Sequence, residues 1–243
     1  MTTPPHLSAP ILFHSTTLKS NRALTSQITA LVNEAFMRSH APHWEKWDLS
    51  RDRFPSEETY WDMLGDKGIV ALIFDRDDEK STQELNGANM AGNDDENATG
   101  EFRDLNRRGK VIACAAALPW KGGWNKEGAG TEEGWEIKAV CVAGDEKYLR
   151  KGLAVQVMQV LEDELVKNAK AQLRAVAKGE GSVEEARRDS VALWILAAEC
   201  LNGAYWRKRG YEELRRSTEG NGTWACKTSF ELVVFRKQVK YEI

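Results

Sequence analysis

Cysteine, histidine and surplus basic charge are all scarce in this sequence. The four cysteines (Cys114, Cys141, Cys200 and Cys226) lie far apart with no C-x-x-C pair. That excludes a disulfide scaffold and a cysteine-based zinc site, and reads as reduced thiols in an intracellular protein. Of four histidines only His40 and His43 are close, with Pro42 between them and no carboxylate or thiol at ligand spacing, so no metal is expected. Lys and Arg number 34 against 37 Asp and Glu, for a formal charge of −3. General nucleic-acid binders carry a basic excess, so no nucleic-acid partner is expected. No run approaches the roughly 20 apolar residues of a membrane-spanning helix. The opening Met-Thr-Thr-Pro-Pro-His has neither the basic nor the apolar part of a signal peptide. Residues 1–10 are expected to be a flexible N-terminus. The expected location is the cytoplasm, with the nucleus open, and no membrane partner.

What is present is an ordinary globular share of apolar residues, 42%, with nine tryptophans. Strands are predicted over 11–17, 68–75, 110–118, 135–142 and 191–197, with a closing antiparallel pair over 211–216 and 224–237. A helix is predicted over 22–37, where Leu24, Ile28, Leu31, Val32, Ala35 and Phe36 recur at steps of three and four. Ser56 with Thr59 three residues on reads as the capped start of a short helix ending at Leu64. A third helix opens at Gly152, carries Ala154, Met158, Leu161 and Leu165 on one face, and runs to about Ala171. A fourth, 200–209, is ended by Gly210. Residues 77–108 hold almost no apolar side chains and read as a disordered insertion between two neighbouring strands, whose deletion is expected to leave the melting temperature nearly unchanged. The order β, α, short α, β, β, β, α, β, α, β, β, without repeats, predicts a single α/β (α+β) domain over 11–243 with a mixed sheet.

The densest chemistry sits between Val142 and Met158. A short apolar strand, Ile137-Lys-Ala-Val-Cys-Val142, runs into a basic, glycine-containing turn that opens at once into an amphipathic helix. Free backbone N–H groups and the positive end of a helix dipole then share one spot, beside Arg150 and Lys151. Such a spot binds phosphate.

Leu149-Arg-Lys-Gly-Leu-Ala154 resembles the pyrophosphate-binding turn of the GNAT N-acetyltransferases, commonly R/Q-x-x-G-x-G/A before a helix. Gly152 and the small Ala154 match; Leu149 replaces the usual Arg or Gln. Trp206-Arg-Lys-Arg-Gly-Tyr211 is similar to a second segment of that family, Y-E-K-x-G-F, with Trp at the aromatic position. The resemblance covers residues 11 to 238. It implies a GNAT-like, mostly antiparallel central sheet flanked by helices, and acetyl-CoA as co-substrate. By the same resemblance the pantetheine arm lies along Val140, Cys141 and Val142, and the amides of Leu149, Arg150, Lys151, Gly152, Leu153, Ala154 and Val155 hold the pyrophosphate.

Acetyl transfer to an amine needs a base for the amine proton, a donor for the oxyanion and an acid for the departing thiolate. Glu136 is the expected base, directly or through a water; the plain alternative is a residue opening an exposed strand face. The oxyanion donor is expected around Val142. The family's Tyr position falls on Trp206, whose indole is no practical acid. Either the local helix is shifted and Tyr205 serves, or water protonates the thiolate; both aromatics would otherwise be core. His43, Trp44, Trp47, Tyr60 and Trp61 are expected to wall the acceptor pocket, or to anchor a loop onto the core. The expected function is an N-acetyltransferase working by direct transfer in a ternary complex to a small-molecule or protein amine. The alternative is a non-catalytic acyl-CoA-binding or scaffolding protein on the same fold. The acceptor and the oligomeric state are open.

Overall fold

The first strand is shorter than its apolar run. In the computed structural model, which describes residues 4–78, 109–177 and 189–242, β1 is Ile11–His14 and the chain turns straight into a one-turn helix, α1, Ser15–Lys19. Ser15 is fully buried and its hydroxyl donates to Gly65 O at 2.5 Å. A buried polar group needs such a partner, and this one takes Ser15 out of the strand. The run 77–108 lies outside the described residues apart from its first two positions.

The remaining elements agree closely with the periodicity. They are α2 (Arg22–His40), α3 (Glu57–Leu64), β2 (Ile69–Asp75), β3 (Lys110–Pro119), β4 (Trp135–Val142), α4 (Leu153–Ala177), β5 (Ser190–Ala198), α5 (Ala204–Lys208), β6 (Glu212–Glu219) and β7 (Phe230–Lys240). Leu24, Ile28, Leu31 and Val32 of α2 are buried. Ser56 and Thr59 form the expected reciprocal cap of α3. The sheet is seven-stranded, in the order β1-β2-β3-β4-β5-β7-β6. β1 pairs with β2, β5 with β7, and β6 with β7, all antiparallel, while β4 and β5 are parallel. Two departures stand out. The closing strand begins at Phe230, because 223–225 form a short 3-10 turn. The helix expected over 200–209 is split: Glu199–Gly203 is one π-helical turn and only Ala204–Lys208 is α-helical.

The chain resolves into two compact units, interleaved in sequence. The first takes Met1–Arg38, Asp52–Ala116 and Ala139–Met158; the second takes Ser39–Arg51, Ala117–Lys138 and Gln159–Ile243. In the first, all seven residues of β2 and the run Val111–Ala116 of β3 are buried, as strands covered on both faces are. In the second, the indoles of Trp120 and Trp194 stack with centroids 4.7 Å apart and planes 2° from parallel. Trp120 Nε1 donates to Glu132 (2.9 Å) and Trp194 Nε1 to Glu133 O (2.9 Å). Arg215 bonds both Glu127 and Glu132. This cluster fixes the loop that delivers the chain into β4.

Candidate functional site

The first unit contains the basic turn. Arg150 and Gly152 both take left-handed backbone, φ 59° and 74°. Leu149 N–H is satisfied by Asp145 O (3.3 Å) and Val155 N–H by Gly152 O (3.0 Å). Between them, the N–H groups of Arg150, Lys151, Gly152, Leu153 and Ala154 meet no acceptor among the described residues. Five consecutive donors, with a helix of 25 residues opening behind them, make a concavity for an anion. A Cβ on Gly152 would meet nothing within 4 Å, so the space over the turn is open. Arg150 and Lys151 are exposed and form no ion pair among the described residues. The cradle is thus narrower than the sequence suggests, losing Leu149 and Val155 to internal bonds.

Sequence reasoning missed what holds this turn. Tyr148 is buried (1% exposed) and its hydroxyl donates to Asp75 Oδ2 at 2.5 Å; Lys147 Nζ adds a bond to the same oxygen at 3.2 Å. Burial alone would raise the Asp75 carboxyl, but bonds from Tyr148, the Asp77 N–H and Lys147 outweigh it and hold the group below the usual range. Burial and the Asp75 carboxylate push the Tyr148 phenol up to about 12. Asp75 ends β2 in an otherwise apolar strand, and that interruption was the available signal.

β4 supplies an open edge. Its ladder with β5 covers Trp135↔Leu193 and Glu136↔Trp194 and goes no further. Ala139 then takes φ 51°, breaking the extended backbone in mid-strand. Ala143 N–H donates to Ile112 O (2.8 Å), so Val142, one residue back, directs its carbonyl off the opposite edge. There Arg38 Nη2 donates to it at 2.6 Å, with Glu34 paired to the same guanidinium. The same register sets Cys141 opposite Cys114, whose sulfur lies 3.9 Å from Tyr60 Oη. The bond to Cys114, with burial, raises the Cys141 thiol well above its ordinary value. A neutral thiol packs; it does not attack.

In the second unit Glu136 is 3% exposed, so it does not open an exposed strand face. Lys138 Nζ lies 3.1 Å from its carboxylate and balances the buried charge. Trp206 is buried (5%) and its ring lies 5.5 Å from that of Tyr211. Tyr205 lies half-buried, 4.9 Å from the Trp206 ring, and its hydroxyl is shielded and meets no partner among the described residues. The π turn just before explains the ambiguity of counting. Its i→i+5 closure holds one residue more than an α turn, which rotates the side chains of α5 by about 100°.

No protein-family model matches the sequence, and no curated protein matches it. Solved structures do. A protein of Acinetobacter baylyi ADP1, provisionally named an acetyltransferase, aligns over 98% of this chain and 95% of its own, at 10% identity and a TM-score of 0.53. The chain has the GNAT fold. More distant matches include YncA of Salmonella typhimurium, solved with its cofactor acetyl-CoA (13% identity, 97% and 96% covered, TM-score 0.48), and Arabidopsis thaliana NAA60 with acetyl-CoA (11%, 96% and 99%, 0.43). The fold assignment rests on the Acinetobacter structure.

Within this GNAT fold the expected acceptor wall divides. Tyr60 and Trp61 belong to the first unit; His43, Trp44 and Trp47 belong to the second. Tyr60 is fully buried, 5.1 Å from the Phe54 ring, and Trp47 is 1% exposed, packed on His40 and Phe230. Both are core residues, as the loop-anchoring alternative has it, and offer no surface to an acceptor. His43, Trp44 and Trp61 keep accessible surface. The Trp61 indole donates to Thr25 Oγ1 at 3.2 Å, and Lys227 lies 5.8 Å from the Trp44 ring.

Proposed function

We propose that this protein is an acetyl-CoA-dependent N-acetyltransferase, passing the acetyl group directly to an amine in a ternary complex. The observation that carries the reading is the run of five unpartnered amides, Arg150 to Ala154, at the start of α4 in a GNAT fold. These amides fit a pyrophosphate, with Arg150 and Lys151 adding charge at the rim. Val140 and Val142, on the unladdered edge of β4, present backbone groups to an arm laid along it as an added strand, with Cys141 packing behind. Acetyl-CoA supplies the acetyl group as an activated thioester.

Glu136 takes the amine proton, directly or through a water, with Lys138 Nζ 3.1 Å from its buried carboxylate. An N–H of the strand around Val142 serves the oxyanion. Tyr205 returns a proton to the sulfur; both its hydroxyl and the Trp206 indole N–H are shielded and unpartnered among the described residues, and of the two only the phenol is a practical acid. His43, Trp44 and Trp61 remain candidates for the acceptor wall.

Calorimetric titration with acetyl-CoA, and with its dephospho and desulfo analogues, tests the cofactor. Micromolar binding followed by thiol release with members of an amine panel is expected. Glu136→Gln should then lower kcat by about 100-fold, the low end of what a positioned base contributes. Binding without turnover on any amine would leave a non-catalytic acyl-CoA-binding protein; no binding at millimolar acetyl-CoA would remove the proposal altogether.

A further inference from the structure

The π turn and the residues that clamp it have no part in the chemistry above. Nothing in Glu199-Cys-Leu-Asn-Gly203 favours a π turn by composition, and Asn and Gly are poor helix formers. Single π turns are rare and concentrate at functional sites. Arg207, one turn into α5, reaches back to Glu199 with both terminal nitrogens, at 2.7 and 2.9 Å. A separation of eight is not one at which side chains meet on a regular helix, so this bond spans the irregular turn. Arg207 also bonds Glu213 of β6 at 2.5 Å. Arg216 closes the ring, with two bonds to Glu213 at 2.9 Å and one to Glu199 at 3.3 Å. The Arg207 guanidinium further lies 5.1 Å from the Phe235 ring of β7. Gly203 completes the fit, since a Cβ there would press on the Glu199 carboxylate.

The ring is fully charged at neutral pH: bonds from Arg216 and Arg207 pull the Glu213 carboxyl down to about 2. Exposed pairs of this kind contribute little to global stability. Their convergence on one irregular turn therefore has another use. Two residues past that turn stands Tyr205, with a shielded hydroxyl that no described residue engages. A buried hydroxyl without a partner is unfavourable and relaxes unless the backbone restrains it.

We infer that Glu199, Arg207, Glu213 and Arg216 lock the π turn in register and so aim the Tyr205 hydroxyl, which makes Glu199 and Arg207 positioning residues for the proton step. The chemistry of this inference rests on the acetyl-transfer reading; its geometry does not. The test uses the whole protein with 3-fluorotyrosine at position 205, in the parent and in Glu199→Gln and Arg207→Lys, alongside kinetics of the same two variants with and without Tyr205→Phe. Both variants should keep the parent's circular dichroism and move the fluorine resonance toward that of the free amino acid. With acetyl-CoA and an amine, each should lower kcat about tenfold, a part of the factor a positioned acid supplies, while KM for acetyl-CoA stays within about twofold. In the Tyr205→Phe background neither should cost anything further. An unmoved resonance overturns the inference, as does an unchanged kcat or an equal loss with and without the tyrosine hydroxyl. A resonance that moves in a protein that acetylates no amine leaves the positioning in place and removes acetyl transfer.

Discussion

Asp75 is a small instance of how one buried charge ties distant parts of a chain together. It sits at the end of an apolar strand, and its partners Lys147 and Tyr148 come from the basic turn 72 and 73 residues later. Asp75→Asn keeps an acceptor for Tyr148 but removes the charge that Lys147 answers. It should destabilise by about 1.5–3 kcal/mol, the range for hydrogen bonds to charged groups, measured by denaturant unfolding at pH 7. Because the folded carboxyl titrates below its ordinary value, its contribution is complete above about pH 4 and is lost as the pH falls below that. The difference in stability between parent and Asp75→Asn should therefore be flat from pH 5 to 8 and shrink toward pH 3. A difference that grows on acidification would contradict the assignment.

At the scale of the element, the turn and the start of α4 were legible because backbone donors arise from Gly152 and the helix behind it, whatever the side chains do. What the sequence could not give was which donors stay free, since Asp145 O and Gly152 O claim Leu149 and Val155. Nor could it give the phase of α5, because a π turn leaves no mark in the apolar spacing; that is why Tyr205 and Trp206 stood as rivals. Burial separated Glu136 from an exposed strand face, and Trp47 and Tyr60 from an accessible wall, because a large aromatic satisfies core and surface patterns alike. Gly152 allows a clean test. Its φ of 74° means that any Cβ strains the backbone by about 1–2 kcal/mol, yet that Cβ meets open space. Gly152→Gln and Gly152→Glu share the strain and the bulk, so only the charge distinguishes them. Calorimetry should show Gly152→Glu binding acetyl-CoA at least about tenfold more weakly than Gly152→Gln, because an anion beside the pyrophosphate costs more than about 1.4 kcal/mol. Equal affinities would place the phosphates elsewhere.

For the whole molecule, element order was readable because most strands are short apolar runs bounded by turn residues, while the mostly antiparallel pairing came from the family resemblance, since such runs do not say how strands pair. The misjudged ends, at Ser15 and Phe230, lie where a single buried hydroxyl or a short 3-10 turn overrides the local pattern. No helix among the described residues is long and apolar enough to cross a membrane. At 100 times its dissociation constant, acetyl-CoA adds about 2.7 kcal/mol, which for a chain of this size raises Tm by roughly 5–10 °C in differential scanning calorimetry. Absence of any shift at saturation would mean that the ligand does not select the native state. Finally, the parallel indoles of Trp120 and Trp194 give the molecule an optical handle. Two identical chromophores in van der Waals contact share their excited states, so this pair absorbs and emits unlike the seven other tryptophans. The loop that feeds β4 thus carries its own built-in label, and its loosening would register in the near-ultraviolet circular dichroism and fluorescence of this pair.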